Sequence, residues 1–166
     1  MPNVNKRKGK YFEEKIAEDY RKFFKLDKTE CYRSGSSGAR TSIEYNGDIS
    51  FSNPNKYRII TECKYYSDMI LDHFFPVCHS YIDYWITQVE EEKSRYIQKY
   101  HEIPLSIIIA GRPYDKNYHV VIINDNINLD PIKCKLTFYS KLHAREFILI
   151  NYSDLSSILK VNPPNF

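Results

Sequence analysis

This chain has little of what holds small secreted or metal-clipped domains together. Its four cysteines, Cys31, Cys63, Cys78 and Cys134, lie far apart and form no Cys-x-x-Cys pair. That argues against a zinc ribbon and a disulfide framework, so a reduced, cytoplasmic protein is expected. Long apolar runs are missing too. None approaches the ~20 residues needed to cross a bilayer, so no membrane role is expected. The basic N-terminus is not followed by the apolar stretch of a secretory signal. Ser34-Gly35-Ser36-Ser37-Gly38 lacks the Gly-Lys-Ser/Thr ending of a nucleotide-binding P-loop. It remains either a phosphate-cradling nest or a plain connector. The histidines offer no ligand pair, and no Ser/His/Asp arrangement can be argued.

What is present suits one domain. The chain has 166 residues, enough to bury a core. Fifteen tyrosines and nine phenylalanines can stack on bases or fill that core. The net charge of +3 is modest, but it is unevenly spread. Lys6, Arg7, Lys8 and Lys10 carry no acid among them, and Lys22, Lys25, Lys28, Arg33 and Arg40 extend the bias. A basic first quarter is compatible with nucleic acid, and a solvated helix face explains part of it.

The chain is organised around Gly47–Lys64. Ile59-Ile60-Thr61-Glu62-Cys63-Lys64 is short, β-branched and preceded by the turn residues Asn53-Pro54-Asn55, which predicts a strand. Alternation puts Ile60, Glu62 and Lys64 on one face and Ile59, Thr61 and Cys63 on the other. Asp48 opens the short run Asp48–Phe51, and the turn can bring it beside Glu62. Two carboxylates at one point repel unless a cation separates them, and Mg²⁺ favours such oxygen ligands together with phosphate and water. The pattern therefore points to a metal site for phosphate chemistry. An exposed ion pair on a solvated sheet face would produce the same pattern.

A helix is expected from about Lys10 to Phe24, with Phe12, Ile16, Tyr20 and Phe23 as its apolar stripe. Glu13 borders that stripe, whereas Glu14 falls on the wet side. Glu13 is a candidate site residue, with a boundary ion pair as its alternative. Residues 1–8 are expected to form a flexible basic arm. Further expected elements are a strand at Cys31–Arg33, a helix over Ser80–Tyr100, and strands at Leu105–Ala110, Tyr118–Asn124, Leu136–Tyr139 and Phe147–Ile150. A closing helix over Leu155–Leu159 would be capped by Ser153. Glu90, Glu91 and Glu92 are expected to face away from any phosphate. The order implies a central mixed β-sheet flanked by helices. Residues 125–166 form a C-terminal extension of the single domain.

Together these residues resemble the PD-(D/E)XK nuclease superfamily, and within it the archaeal-type Holliday junction resolvases. Lys8-Gly9 is followed by Glu13 at the family's interval, Arg33-Ser34-Gly35-Ser36 is similar to its Arg-Ser segment, and Asp48, Glu62 and Lys64 match its sheet motif. Gly47 stands where the superfamily nominally has proline. The segments Tyr65–His79 and beyond Asp125 look longer than a minimal resolvase. The resemblance implies a restriction-endonuclease-like fold and Mg²⁺-dependent hydrolysis of DNA phosphodiesters, with Mn²⁺ able to substitute. Asp48 and Glu62 would hold the metal, with the Cys63 carbonyl and Glu13 (directly or through water) completing its shell, and Lys64 would orient or activate water. Lys6, Arg7, Lys8, Lys10, Arg33, Ser34, Ser36 and Arg40 would contact DNA. A homodimer acting on four-way junctions or other branched DNA is implied. The alternatives are a phage- or restriction-type endonuclease on duplex or branched DNA, and a non-catalytic nucleic-acid-binding domain.

Overall fold

Two apolar runs buried along most of their length set the centre of the molecule. In the computed structural model, which describes residues 4–34, 47–65, 79–111, 118–123, 127–130, 132, 135–140 and 142–161, these runs are the parallel strands Ile59–Tyr65 and Leu105–Gly111. The elements run α1 Val4–Phe24, β1 Cys31–Arg33, β2 Ile49–Phe51, β3 Ile59–Tyr65, α2 His79–Tyr100, β4 Leu105–Gly111, β5 His119–Ile122, β6 Leu136–Ser140, β7 Arg145–Asn151 and α3 Tyr152–Val161. A five-stranded mixed sheet has the order β3-β4-β5-β7-β6. Its β3–β4 pair is parallel and the rest are antiparallel. β1 and β2 form a separate antiparallel pair.

Strand alternation divides the core between two faces of this sheet. Ile59, Cys63, Ile107, Ile109, Val120 and Ile122 join Phe12, Ile16 and Tyr20 of α1 and Leu155, Ile158 and Leu159 of α3. Ile60, Ile108, Ala110 and Val121 join Ile82, Trp85, Ile86, Val89 and Tyr96 of α2 on the opposite face. The result is a layered α/β/α arrangement of the restriction-endonuclease-like kind, in which β3 is an edge strand with a helix above and below. α2 is also pinned at its first half. Ser140 Oγ donates to Asp83 Oδ1 at 2.6 Å, and His143 Nε2 lies 3.2 Å from the Asp83 carbonyl. Ser140 is fully buried with its hydroxyl on a carboxylate, so this group is a structural tie.

Several boundaries differ from expectation. α1 begins at Val4, so residues 4–8 belong to its first turns and not to a flexible arm. The apolar stripe that located this helix starts only at Phe12, and nothing upstream of it has to be buried. α1 ends where Lys25 takes φ 57° and Leu26 N–H closes back on the Arg21 carbonyl at 2.9 Å. α3 starts at Tyr152, directly from β7, so Ser153 lies inside the helix and does not cap it.

Candidate active site

Gly47 fixes where the site forms. It takes φ +82°, and a Cβ there would sit 2.6 Å from the Thr61 carbonyl oxygen. Glycine alone permits this approach, which is also why the nominal proline position carries glycine here. The contact lets Gly47 bridge to Thr61 along the outer edge of β3. Asp48 N–H then donates to the Thr61 carbonyl at 2.8 Å. The Asp48 side chain turns back onto the same edge, where its Oδ2 accepts the Cys63 N–H at 2.8 Å. An edge-strand donor that would otherwise face outward is thus satisfied by a carboxylate.

Glu62 and Lys64 point together toward α2, as alternation requires. Lys64 Nζ donates to Glu62 Oε1 at 2.5 Å and to Gln88 Oε1 at 3.0 Å. Gln88 Nε2 completes the triangle by donating to Glu62 Oε1 at 2.8 Å. From α1, the buried Glu13 is held by Arg33 Nη1 at 3.3 Å from its Oε2. Glu14, by contrast, is partly exposed and pairs with Arg21 at 2.8 Å. Phe12, Tyr65 and Tyr118 pack ring against ring beside this cluster.

The carboxylates repel one another. Burial pushes the Asp48 carboxyl well above its ordinary range, and the charges of Glu62 and Glu13 push it further. Burial likewise raises Glu13, partly offset by Arg33. Glu92 on α2 is raised to about 7, first by burial and then by the charge on Glu62. Four buried carboxylates therefore share this end of the sheet, with Lys64 and Arg33 as the cations bonded to them. Such an excess of negative charge suits a bound hard cation. Asp48 and Glu62 are the carboxylates that could hold it, and the charges of Glu62 and Glu13 both act on Asp48. Among the described residues no group of three His, Cys, Asp or Glu side chains is placed to hold a metal ion by itself, so water and phosphate oxygens would supply the remaining ligands.

Glu13, Asp48, Glu62 and Lys64 are thus brought to one place. Arg7 and Lys10 are exposed and Lys8 half-buried on α1, and the Lys10 charge acts on Glu13. Two of the expected DNA contacts have partners within the protein. Ser34 is buried with its Oγ 2.6 Å from Ser50 Oγ, tying β1 to β2, and Arg33 serves Glu13 and the Ser34 carbonyl. Ser36 and Arg40 lie outside the described residues, as does the side chain of Lys6. Two residues of the cluster were not expected. Gln88 reads in sequence as an ordinary polar helix residue. Glu92 is expected with Glu90 and Glu91 on an outward acidic patch, yet it is buried and the charge on Glu62 acts on it. Glu90 pairs with Arg145, leaving Glu91 as the exposed member. A signal was available: Glu92 follows Val89 by three residues and precedes Tyr96 by four, so it falls on the apolar stripe of α2.

A family model described as "Phage putative PDDEXK endonuclease" matches residues 4–158. The chain belongs to this family. It is therefore a PD-(D/E)XK nuclease, and nucleases of this superfamily generally use divalent metal ions. No significant match was found among curated proteins or solved structures. No helix among the described residues is long and apolar enough to cross a membrane.

Proposed function

We propose that this PDDEXK nuclease hydrolyses DNA phosphodiesters with Mg²⁺, or Mn²⁺ in its place, at the centre formed by Asp48, Glu62, Lys64 and Glu13. The observation that carries the reading is the convergence of these four side chains at the outer edge of β3, with the carboxylates in excess. Asp48 and Glu62 hold the cation, Glu13 completes its shell directly or through water, and the Cys63 carbonyl is a further oxygen. What a divalent cation supplies when bound is polarisation of the scissile phosphate and a lowered pKa for the attacking water. Lys64 orients that water and offsets the negative charge that grows on the phosphate. Gln88 fixes both Lys64 and Glu62, and Arg33 fixes Glu13. Arg7, Lys8 and Lys10 on α1 hold phosphates beside the centre, giving affinity without base specificity.

For the substrate, the reading is a single-domain, cytoplasmic homodimer selective for four-way junctions. Its support is the Lys8-Gly9…Glu13 start and the Arg33–Ser36 segment. Two fixed basic channels would select branched DNA, because linear duplex fills only part of that surface. A labelled junction should therefore survive competition by excess linear duplex of equal length at physiological salt, and should be cut faster in Mg²⁺. The family description names a phage endonuclease without a branched substrate. Equal competition and equal cutting of duplex would make this a duplex endonuclease with the same centre.

A further inference from the structure

Two large rings stand in water on the helix that holds Glu62 and Lys64. Tyr81 and Tyr84 of α2 are 63% and 67% exposed. A single exposed aromatic is ordinary on a protein surface. Two of them a turn apart, in line with a reactive centre, call for a reason.

Their placement follows from how α2 lies on the sheet. At about 100° per residue, Ile82, Ile86 and Val89 form its buried stripe. On one side of that stripe, Asp83 and Glu90 meet Ser140 and Arg145 at the β6–β7 end of the sheet. On the other side lie Tyr81, Tyr84 and Gln88, within about 60° of one another. Gln88 accepts from Lys64 at 3.0 Å and donates to Glu62 at 2.8 Å, so this flank serves β3. Tyr96 Oη donates to the Pro54 carbonyl ahead of β3, and α2 therefore runs against the direction of the strand. Tyr84 and Tyr81, one and two turns beyond Gln88, continue outward from the centre past the end of β3.

The pair has the chemistry of a stacking surface. Tyrosine offers a broad, rigid ring at little cost in side-chain entropy. The two residues are about 4.5 Å apart along the helix axis, close to the step of about 3.4 Å between stacked nucleotides. Bases inside a duplex are already stacked on their neighbours, so an unpaired nucleotide is the one free to use such rings. This stacking tolerates any sequence, because every base has a π-face.

We propose that Tyr81 and Tyr84 form a stacking platform for unpaired nucleotides beside the scissile phosphate. The preferred substrate is then DNA with a single-stranded segment next to the cut. This rests on the reading of the centre as a DNA-cleaving site. Continuity argues for DNA as the occupant: a strand held at Glu62 and Lys64 meets the flank that Gln88 shares with the two rings.

The test is fluorescence-polarisation binding, in chelator, of a labelled blunt duplex and of the same duplex carrying a single-stranded oligothymidine tail. The readout is the ratio of the two Kd values, blunt over tailed. The wild type should favour the tailed DNA by about tenfold or more, since two stacked bases contribute. Tyr81→Ala and Tyr84→Ala should each lower the ratio about fivefold or more, as loss of one stacked base does. Tyr84→Phe keeps the ring and should keep the ratio. So should Tyr139→Ala, which removes a comparably exposed ring from β6 at the opposite edge of the sheet. Circular dichroism melts should show all four variants folded, because none of these rings is buried. A wild-type ratio near one, or an unchanged ratio in both alanine variants at positions 81 and 84, would overturn the platform. Wild-type cleavage of either DNA in Mg²⁺ would then leave the centre standing, whereas a wild type that neither binds nor cuts DNA would remove both.

Discussion

Lys64 serves two acceptors at once, Glu62 and Gln88, and its ammonium is thereby aimed before any substrate arrives. Neither Lys64 nor Glu62 fills the apolar core, so Lys64→Ala and Glu62→Ala should each fold normally and lose cleavage. The expected loss is on the order of 10²–10³ in rate, as for removal of one preorganised electrostatic group. Initial rates on labelled DNA, beside melts of each variant, measure both halves of this. Glu92 gives a pH signature. Its folded pKa of about 7 lies above the ordinary 4.5. The protonated form favoured by the fold contributes stability that is fully present below 4.5 and lost as pH rises through about 7. The metal-free protein should therefore lose stability as pH rises from about 4.5 to about 7. Glu92→Gln should flatten that fall, and an unchanged profile would contradict the assignment. At this scale the sequence revealed the residues whose position follows from strand period alone: Glu62 and Lys64 share a face because they are two apart. Gln88 and Glu92 were hidden because their role depends on which side of α2 meets β3, and three consecutive glutamates read as solvent-facing until the apolar stripe is traced through them.

Among the elements, β3 and the turn into β2 matter most. Gly47 combines a positive φ with a backbone approach that leaves no room for a methyl group. Gly47→Ala should cost on the order of 1–3 kcal/mol and displace Asp48 from the Cys63 N–H. Urea unfolding and Mn²⁺ affinity should both register the change, and a variant matching wild type in both would show that the turn has room to spare. The strands expected at 59–64 and 105–110 were legible because a short β-branched start and a continuous apolar run, each bounded by turn residues, leave few other options. The helix ends were less so. The start of α1 lies beyond its apolar stripe, and α3 follows β7 with no connecting residues in which a cap could be read. The layering could be anticipated only as a class, since the strand order β3-β4-β5-β7-β6 rests on long-range pairing that local pattern does not encode.

For the whole molecule, the proposed phosphate contacts from α1 would make DNA binding weaken steeply with salt, because each neutralised phosphate releases counterions. Lys10 of that helix acts on Glu13, and Glu13 on Asp48, so on the proposed reading binding and cutting would share a surface. Charge reversal or removal at Lys10 should lower affinity and the salt slope together, without abolishing metal uptake. The central claim is that one centre, built from Asp48, Glu62 and Lys64, cleaves DNA with a divalent cation. It is tested most directly by the cleavage rate of a labelled DNA substrate with purified wild type and Asp48→Asn, in Mg²⁺ and in chelator. The account predicts cutting by the wild type in Mg²⁺ only, and a loss of at least a hundredfold for Asp48→Asn at unchanged DNA affinity. Cleavage in chelator, or wild-type rates from Asp48→Asn, would contradict it.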